Sequence, residues 1–395
     1  VGAPSCVTCV ELHHQDGTTH LVFAQGEGPI LRLTGVNATA ARHGMKRVQL
    51  LKNLPNKSPV AAKMSAFRNA KETNITINRY HIEAVETTNL WKIFKLPSEF
   101  SKKHHMIQYN PVIQEGNEEF VHHMEYNQKI PDYLGPCAAD DRPPEINVCR
   151  KVVAAWALGA EHFVYPEDVG LEIRGEDFNS FLMLEVYYNN PDLLSSEFLL
   201  CLLTPDFVVS SEMQLHYNSN IRRFDAGILE VGLEYTPKTG LPHGMRDVFV
   251  RGHCIAECTA IGLPKDGVTI FASQLHTHFT GVRVWTTHSR NGVQLPDINR
   301  DNHYPTHYQE IRFLKHPVHV SPVSRRLILS ILRRRNGDCV CQDRTISRQN
   351  ITLGGFAISD EMCVNYMHYY PKSNLEVCKS SIDSDVLDEC FAYMT

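Results

Sequence analysis

Leu275-His276-Thr277-His278 sets two imidazoles two residues apart. On a strand, residues i and i+2 point to the same sheet face, so both rings can serve one metal ion. For a bare His-X-His the commoner outcome is a pair of surface or hydrogen-bonded histidines. Val121-His122-His123-Met124 is a second candidate. Adjacent residues on a regular strand face opposite ways, so these two rings meet one ion only where the strand bends or ends. The third is Glu361-Met362-Cys363, downstream of a Gly354-Gly355 turn. A methionine is nearly always core packing. As a ligand it selects copper, because thioethers favour Cu(I) and imidazole suits both copper states. Two His with one Met make a weakly donating site suited to Cu(I) and dioxygen, whereas a site of His alone better tolerates redox cycling.

The elements that must carry these residues read as strands. Phe181, Met183, Glu185 and Tyr187 alternate with Leu182, Leu184, Val186 and Tyr188; Ile228 to Tyr235 carries Val231, Leu233 and Tyr235 on one face. Val268, Ile270 and Ala272 lead by alternate steps to Gln274, His276 and His278. Period-two runs separated by Pro, Gly and Asn clusters predict an all-β chain of packed antiparallel sheets. Val152 to Ala160 reads equally as a short helix or a buried strand. The expected organisation is residues 1–45 as the end of an upstream module plus linker, then two tandem jelly-roll-like β-sandwiches over 46–215 and 216–395. The join falls near Asn218 to Phe224. Residues 196–209 form an apolar insertion, and residues 323–348 are Arg-rich without clear alternation; both read as loops or faulty exon choices.

Composition narrows the function classes. A chain of 395 residues with net charge −5 and no long basic stripe is a poor nucleic-acid binder. The patch of Arg325, Arg326 and Arg333 to Arg335 is too local to change that. No stretch is long and apolar enough to cross a bilayer as a helix. A start at Val1 without an initiator Met gives the expectation of a mature form or a fragment. Twelve cysteines suit either zinc binding or disulfides. The short pairs Cys6/Cys9 and Cys339/Cys341 lack a second pair at zinc-finger spacing. The sequons at Asn37, Asn56, Asn74 and Asn350 favour the secretory route, so a vesicle lumen or the extracellular space is expected.

The longer strings GNEEFVHHME, AAWALGAEHFVYPEDVG, RRFDAGILEVGLEYTP, IFASQLHTHFTG, RDNHYPTHYQEIRFLK and GGFAISDEMCVNYMHYYP carry a resemblance. From about Thr18 to Tyr393 the chain resembles the copper type II, ascorbate-dependent monooxygenases, in their amine-hydroxylating branch. The resemblance implies two coppers per chain and ascorbate as electron donor. The oxygen-activating copper maps to His276, His278 and Met362, with His276 in the catalytic centre. The electron-storing copper maps to His122 and His123. The implied reaction uses O2 to hydroxylate the benzylic carbon of a small aromatic amine such as tyramine or dopamine; a homo-oligomer is left open. The peptide-amidating branch carries Arg two residues before its His-X-His pair, where this chain has Gln274. A neutral amide offers no clamp for a carboxylate, which favours a small amine over a peptide acid.

Departures from the family pattern bear on the first copper. Its third ligand is a His inside LEVHY; Tyr187 stands there, and a phenol with an ordinary pKa near 10 is a poor Cu(I) ligand. Weaker copper binding, or completion by another side chain, is the expectation. The family string ETTYWC reads here Glu86-Thr87-Thr88-Asn89-Leu90-Trp91, so Asn89 replaces its tyrosine and Trp91 its cysteine. Lys129 replaces a further cysteine, so Cys137 and Cys149 either bond to each other or stay reduced. The resemblance further implies a Cys254–Cys378 bridge, a bond from Cys363 to Cys339 or Cys341, and a partner for Cys258 beyond Thr395. The alternative reading is a catalytically impaired, secreted copper-binding homologue.

Overall fold

The computed structural model describes residues 6–9, 18–25, 42–48, 69–80, 85, 87–113, 121–127, 134–136, 154–157, 160, 162–173, 181–190, 209–241, 243, 249–290, 293–306, 308–322, 326–332, 350–357 and 359–381. Among them are twenty-four strands, one short α-helix (Ala256–Gly262) and one 3-10 turn (Ser98–Ser101). The all-β expectation holds. The ambiguous AWA run is a strand, Ala155–Ala157. A strand, Arg326–Leu332, also lies within the Arg-rich segment; it pairs on both sides, inside a four-stranded sheet.

In the first half, five strands form a sheet in the order Leu134–Pro136, Thr87–Lys95, Phe181–Asn189, Val121–Asn127, Ala155–Ala157. One face of Phe181–Asn189 (Leu182, Leu184, Val186, Tyr188) enters the main core with Met106, Tyr109, Met213 and Leu215 of the facing sheet. Its other face carries Met183, packed with Ile93, Trp91 and Phe181. In the second half, Val268–Thr277, Cys363–Tyr370 and Phe224–Leu233 form the inner sheet. Four further strands, Phe249–Ile255, Arg326–Leu332, Arg283–Arg290 and Val293–Asp301, form another. The two layers approach closely because Gly252 lies against Gly232: a Cβ on Gly252 would meet the Gly232 carbonyl oxygen at 2.2 Å.

The two halves share a sheet. A parallel pairing of Val169–Ile173 with Phe224–Leu233 joins their otherwise largely antiparallel ladders into one sheet of ten strands. Polar ties fix this seam. His105 accepts from the Arg222 N–H at Nδ1 (2.9 Å), which leaves Nε2–H to donate to Asp225 at 2.7 Å. Lys103 pairs with Asp225 at 2.7 Å, and Lys372 reaches Glu172 at 2.8 Å. Arg222 Nη1 donates to the carbonyls of Pro166 (2.8 Å) and Val169 (2.7 Å). Phe271 and Ala272 of the second half belong to the first half's core.

The strand Val268–Thr277 changes phase midway. A bulge between Ile270 and Ala272 interrupts both of its ladders. One extra residue swaps the faces. Val268 and Ile270 therefore face the second core, as does Leu275, while Ala272 packs toward the first half. The run of alternate residues from Val268 to His278 thus does not share one face, as its spacing implied. Only Ala272, Gln274, His276 and His278 do.

Candidate metal centre

His276 sits opposite Val364 and Thr277 opposite Cys363. The ladder then closes with the His278 N–H donating to the Met362 carbonyl at 3.2 Å. This register sets His276, His278, Met362 and Val364 on one face, opposite the one where Cys363 and Leu275 pack. His276, His278 and Met362 are 2%, 1% and 4% exposed. The imidazole centroids are 5.5 Å apart with planes at 86°.

Hydrogen bonds fix the protons on both rings. Gln309 Nε2 donates to the carbonyls of Thr277 (3.1 Å) and Thr306 (2.7 Å), so its Oε1, 2.5 Å from His276 Nδ1, is the acceptor. His276 therefore carries its proton on Nδ1. His278 Nδ1 lies 3.2 Å from the Asp360 carbonyl, which only accepts, so its proton sits there too. The buried Nε2 atom of each ring takes no hydrogen bond, which leaves a lone pair on each for a metal. Burial pushes His276 down to about 4, against the Gln309 hydrogen bond that raises it. The ring is thus neutral at neutral pH, the form that ligates.

The turn is braced around these rings. The Tyr304 hydroxyl accepts from the Thr277 N–H and donates to the Leu275 carbonyl, both at 3.1 Å. Glu361 Oε1 accepts from the N–H groups of His278 (3.2 Å) and Met362 (3.0 Å). Among the described residues no three His, Cys, Asp or Glu side chains cluster as a metal site. The donor set is two imidazoles and a thioether, which suits Cu(I) better than zinc or a hard cation. Gln274, on the same face, donates from Nε2 to the Gln309 carbonyl at 2.8 Å and presents no cation.

The first-half candidates lie on Val121–Asn127, of which the backbone alone is described. His123 pairs with Tyr187 and Val121 with Tyr188, so His122 is the extra residue of a bulge. A bulge is the kind of bend that two adjacent His need to share an ion. Tyr187, at the position of the expected third ligand, is 4% exposed. Beside it Glu185 is buried, and burial pushes its carboxyl up against hydrogen bonds that include one from Asn89.

Cys254 and Cys378 are bonded. Cys363 is buried; Cys339 and Cys341, its candidate partners, lie outside the described residues, as do Cys137 and Cys149. Of the sequons, Asn74 and Asn350 are exposed, while Asn37 and Asn56 lie outside the described residues. Sequence reading missed Gln309, Tyr304 and the Asp360 carbonyl. Their only signal was membership in longer matching strings, since no spacing marks a hydrogen-bonding neighbour.

The joined β-sheets gather two imidazoles and a thioether on one buried face, a donor set that suits copper. The chain belongs to the copper type II ascorbate-dependent monooxygenase family: residues 73–195 match its N-terminal domain and residues 224–391 its C-terminal domain. Among curated relatives it is 41% identical over 383 residues to dopamine beta-hydroxylase of Bos taurus, covering 95% of this chain and 58% of that protein. It is 38% identical over 315 residues to tyramine beta-hydroxylase of Caenorhabditis briggsae (78% of this chain, 50% of that one). DBH-like monooxygenase protein 1 of Mus musculus is 30% identical over 351 residues (86% and 52%). The chain thus spans between half and three-fifths of the length of these relatives.

Proposed function

We propose that the chain is the core of a copper- and ascorbate-dependent monooxygenase that hydroxylates the benzylic carbon of a small aromatic amine such as tyramine or dopamine. One oxygen atom of O2 enters the substrate, the other leaves as water, and ascorbate supplies the two electrons. The observation that carries this reading is the buried face with His276, His278 and Met362, both rings protonated on Nδ1, in a chain of this family. These three residues would hold the oxygen-activating copper; the position of the family's second copper maps to His122 and His123. Copper bound there supplies one-electron chemistry and activation of dioxygen.

The protein's own part is positional. Gln309 and the Asp360 carbonyl aim the imidazoles, and Glu361 holds the backbone of the two strands at the site. Burial excludes bulk water from the reacting face, which suppresses wasteful reduction of oxygen. Gln274 brings no cation to the face, so a substrate carboxylate has no ionic partner from that position. The disulfide and the exposed sequons suit a secretory compartment. The second reading, a catalytically impaired copper binder, is favoured by Tyr187 and Asn89.

The test is expression of the chain in a secretory host, loading with copper, and assay of ascorbate-dependent hydroxylation of tyramine and dopamine. Turnover that His276→Ala abolishes supports the monooxygenase. Copper binding without turnover supports the impaired homologue, and absence of specific copper refutes both.

A further inference from the structure

Three positions at which this chain departs from its family come together in space. In the five-stranded sheet, Tyr187 is paired with Asn89 on one side and His123 on the other, and Glu185 is paired with Trp91 and Glu125. Asn89, Trp91, Glu185 and Tyr187 therefore share one face. The resemblance places a tyrosine at 89, a cysteine at 91 and a metal-binding histidine at 187. The chain instead carries an amide, an indole and a phenol around one carboxylate. Asn89 Nδ2 donates to Glu185 Oε1 at 2.7 Å, Tyr187 is a further hydrogen-bonding neighbour of the carboxylate, and Trp91 is paired with Glu185 across the ladder. Glu185 is 5% exposed and Tyr187 4%.

From this cluster we propose that the three departures are one coordinated replacement, that it occupies the electron-storing copper position, and that the chain binds a single copper. A buried carboxylate needs donors, and withdrawing any of them leaves its charge less satisfied. Tyr187 is committed to that role. To ligate copper as a phenolate it would surrender the proton it gives to Glu185 and place a second negative oxygen beside it. The register explains the pairing of the changes. Positions 89 and 187 are directly opposed on neighbouring strands, so relative to the family pattern the phenol stands at 187 instead of 89, and Asn89 supplies a donor across from it. The sheet keeps one aromatic ring in that row and gives up the imidazole. The inference rests on the proposed copper site at His276, His278 and Met362, which it leaves as the lone metal position.

The experiment is elemental analysis of copper per chain after loading and desalting, on the full chain and three variants, with Cu(II) electron paramagnetic resonance as the second readout. The wild-type chain is expected to hold one copper with one type of signal, and Tyr187→Phe, which keeps the ring and removes the hydroxyl, is expected to hold one as well. His276→Ala/His278→Ala is expected to hold none. Asn89→Tyr/Tyr187→His, which reverses the exchange, is expected to hold two, with a second signal. Two coppers in the wild type, or loss of one in Tyr187→Phe, overturns the single-copper inference while leaving the proposed function standing. One copper that survives His276→Ala/His278→Ala, or none in the wild type, overturns the functional reading itself.

Discussion

Replacing Gln309 with leucine keeps nearly the same side-chain volume and removes three hydrogen bonds at once. Gln309 is 1% exposed, accepts from His276 Nδ1 at 2.5 Å and donates to the carbonyls of Thr277 and Thr306. The variant leaves a buried ring N–H and the buried Thr277 carbonyl unsatisfied, at about 1–3 kcal/mol each. The copper-free protein should therefore lose about 2–6 kcal/mol of stability. With nothing to hold Nδ1–H, the ring can rotate or change tautomer and turn its lone pair from the site. Loss of such a partner lowers metal affinity about 10–100-fold, equivalent to about 1.4–2.8 kcal/mol. Competitive titration against a copper chelator, beside denaturant unfolding of the copper-free form, separates the two effects. Gln309→Glu keeps the acceptor and should retain more of the affinity than Gln309→Leu. Copper affinity of Gln309→Leu within about threefold of wild type, with stability lowered as expected, would show that Gln309 braces the turn without positioning the ligand.

Other outcomes follow from the same geometry. Burial pushes His368 down to about 3, and neither ring nitrogen has a hydrogen bond. Its folded value lies below the unfolded value of about 6.5, so the unfolded chain takes up the proton first as pH falls. Its contribution is intact above about pH 6.5 and lost by about 1.4 kcal/mol per pH unit below it, and His368→Leu should flatten the acid limb of stability against pH. Opening the Cys254–Cys378 bond, which spans 124 residues, by a double Ala variant should cost about 4–5 kcal/mol in denaturant unfolding. Burial works against ionisation of Asp301, yet Arg312, Thr18 and the His303 N–H hold its carboxyl below the usual range. Asp301→Ala strands Arg312 and should cost about 3–5 kcal/mol. It should also speed proteolysis around Thr18, which donates to Asp301 from its N–H and hydroxyl.

Much of this architecture was legible because alternation writes burial directly into sequence. Phe181 to Tyr188 splits into a core face and a second face, as its spacing implied. His276 and His278 come to one face for the same reason. The misreadings fall where alternation carries no information. A bulge at Phe271 inverts the phase without changing composition, so Val268 and Ile270 face away from the histidines. The strand Arg326–Leu332 lies inside an Arg-rich segment whose pattern gives no clear strand signal. The parallel seam joining the halves depends on contacts far apart in sequence, which local pattern does not encode. At the site, donor types were readable, but the partners that set their protons were not. Gln309 lies 33 residues from His276, and the Asp360 group that matters is a backbone carbonyl. The sequence showed Asn89, Trp91 and Tyr187 as separate oddities; their common neighbour Glu185 emerges only from the register.

The central claim is that His276, His278 and Met362 form a copper site that supports amine hydroxylation. Its most direct test is copper per chain together with ascorbate-dependent hydroxylation of tyramine and dopamine, on the wild-type chain and His276→Ala/His278→Ala. The account predicts bound copper and hydroxylated amine in the wild type, with both lost in the double variant while the far-ultraviolet spectrum stays β-rich. Copper content unchanged by the double substitution, or a folded wild-type chain that takes up no copper, would contradict it.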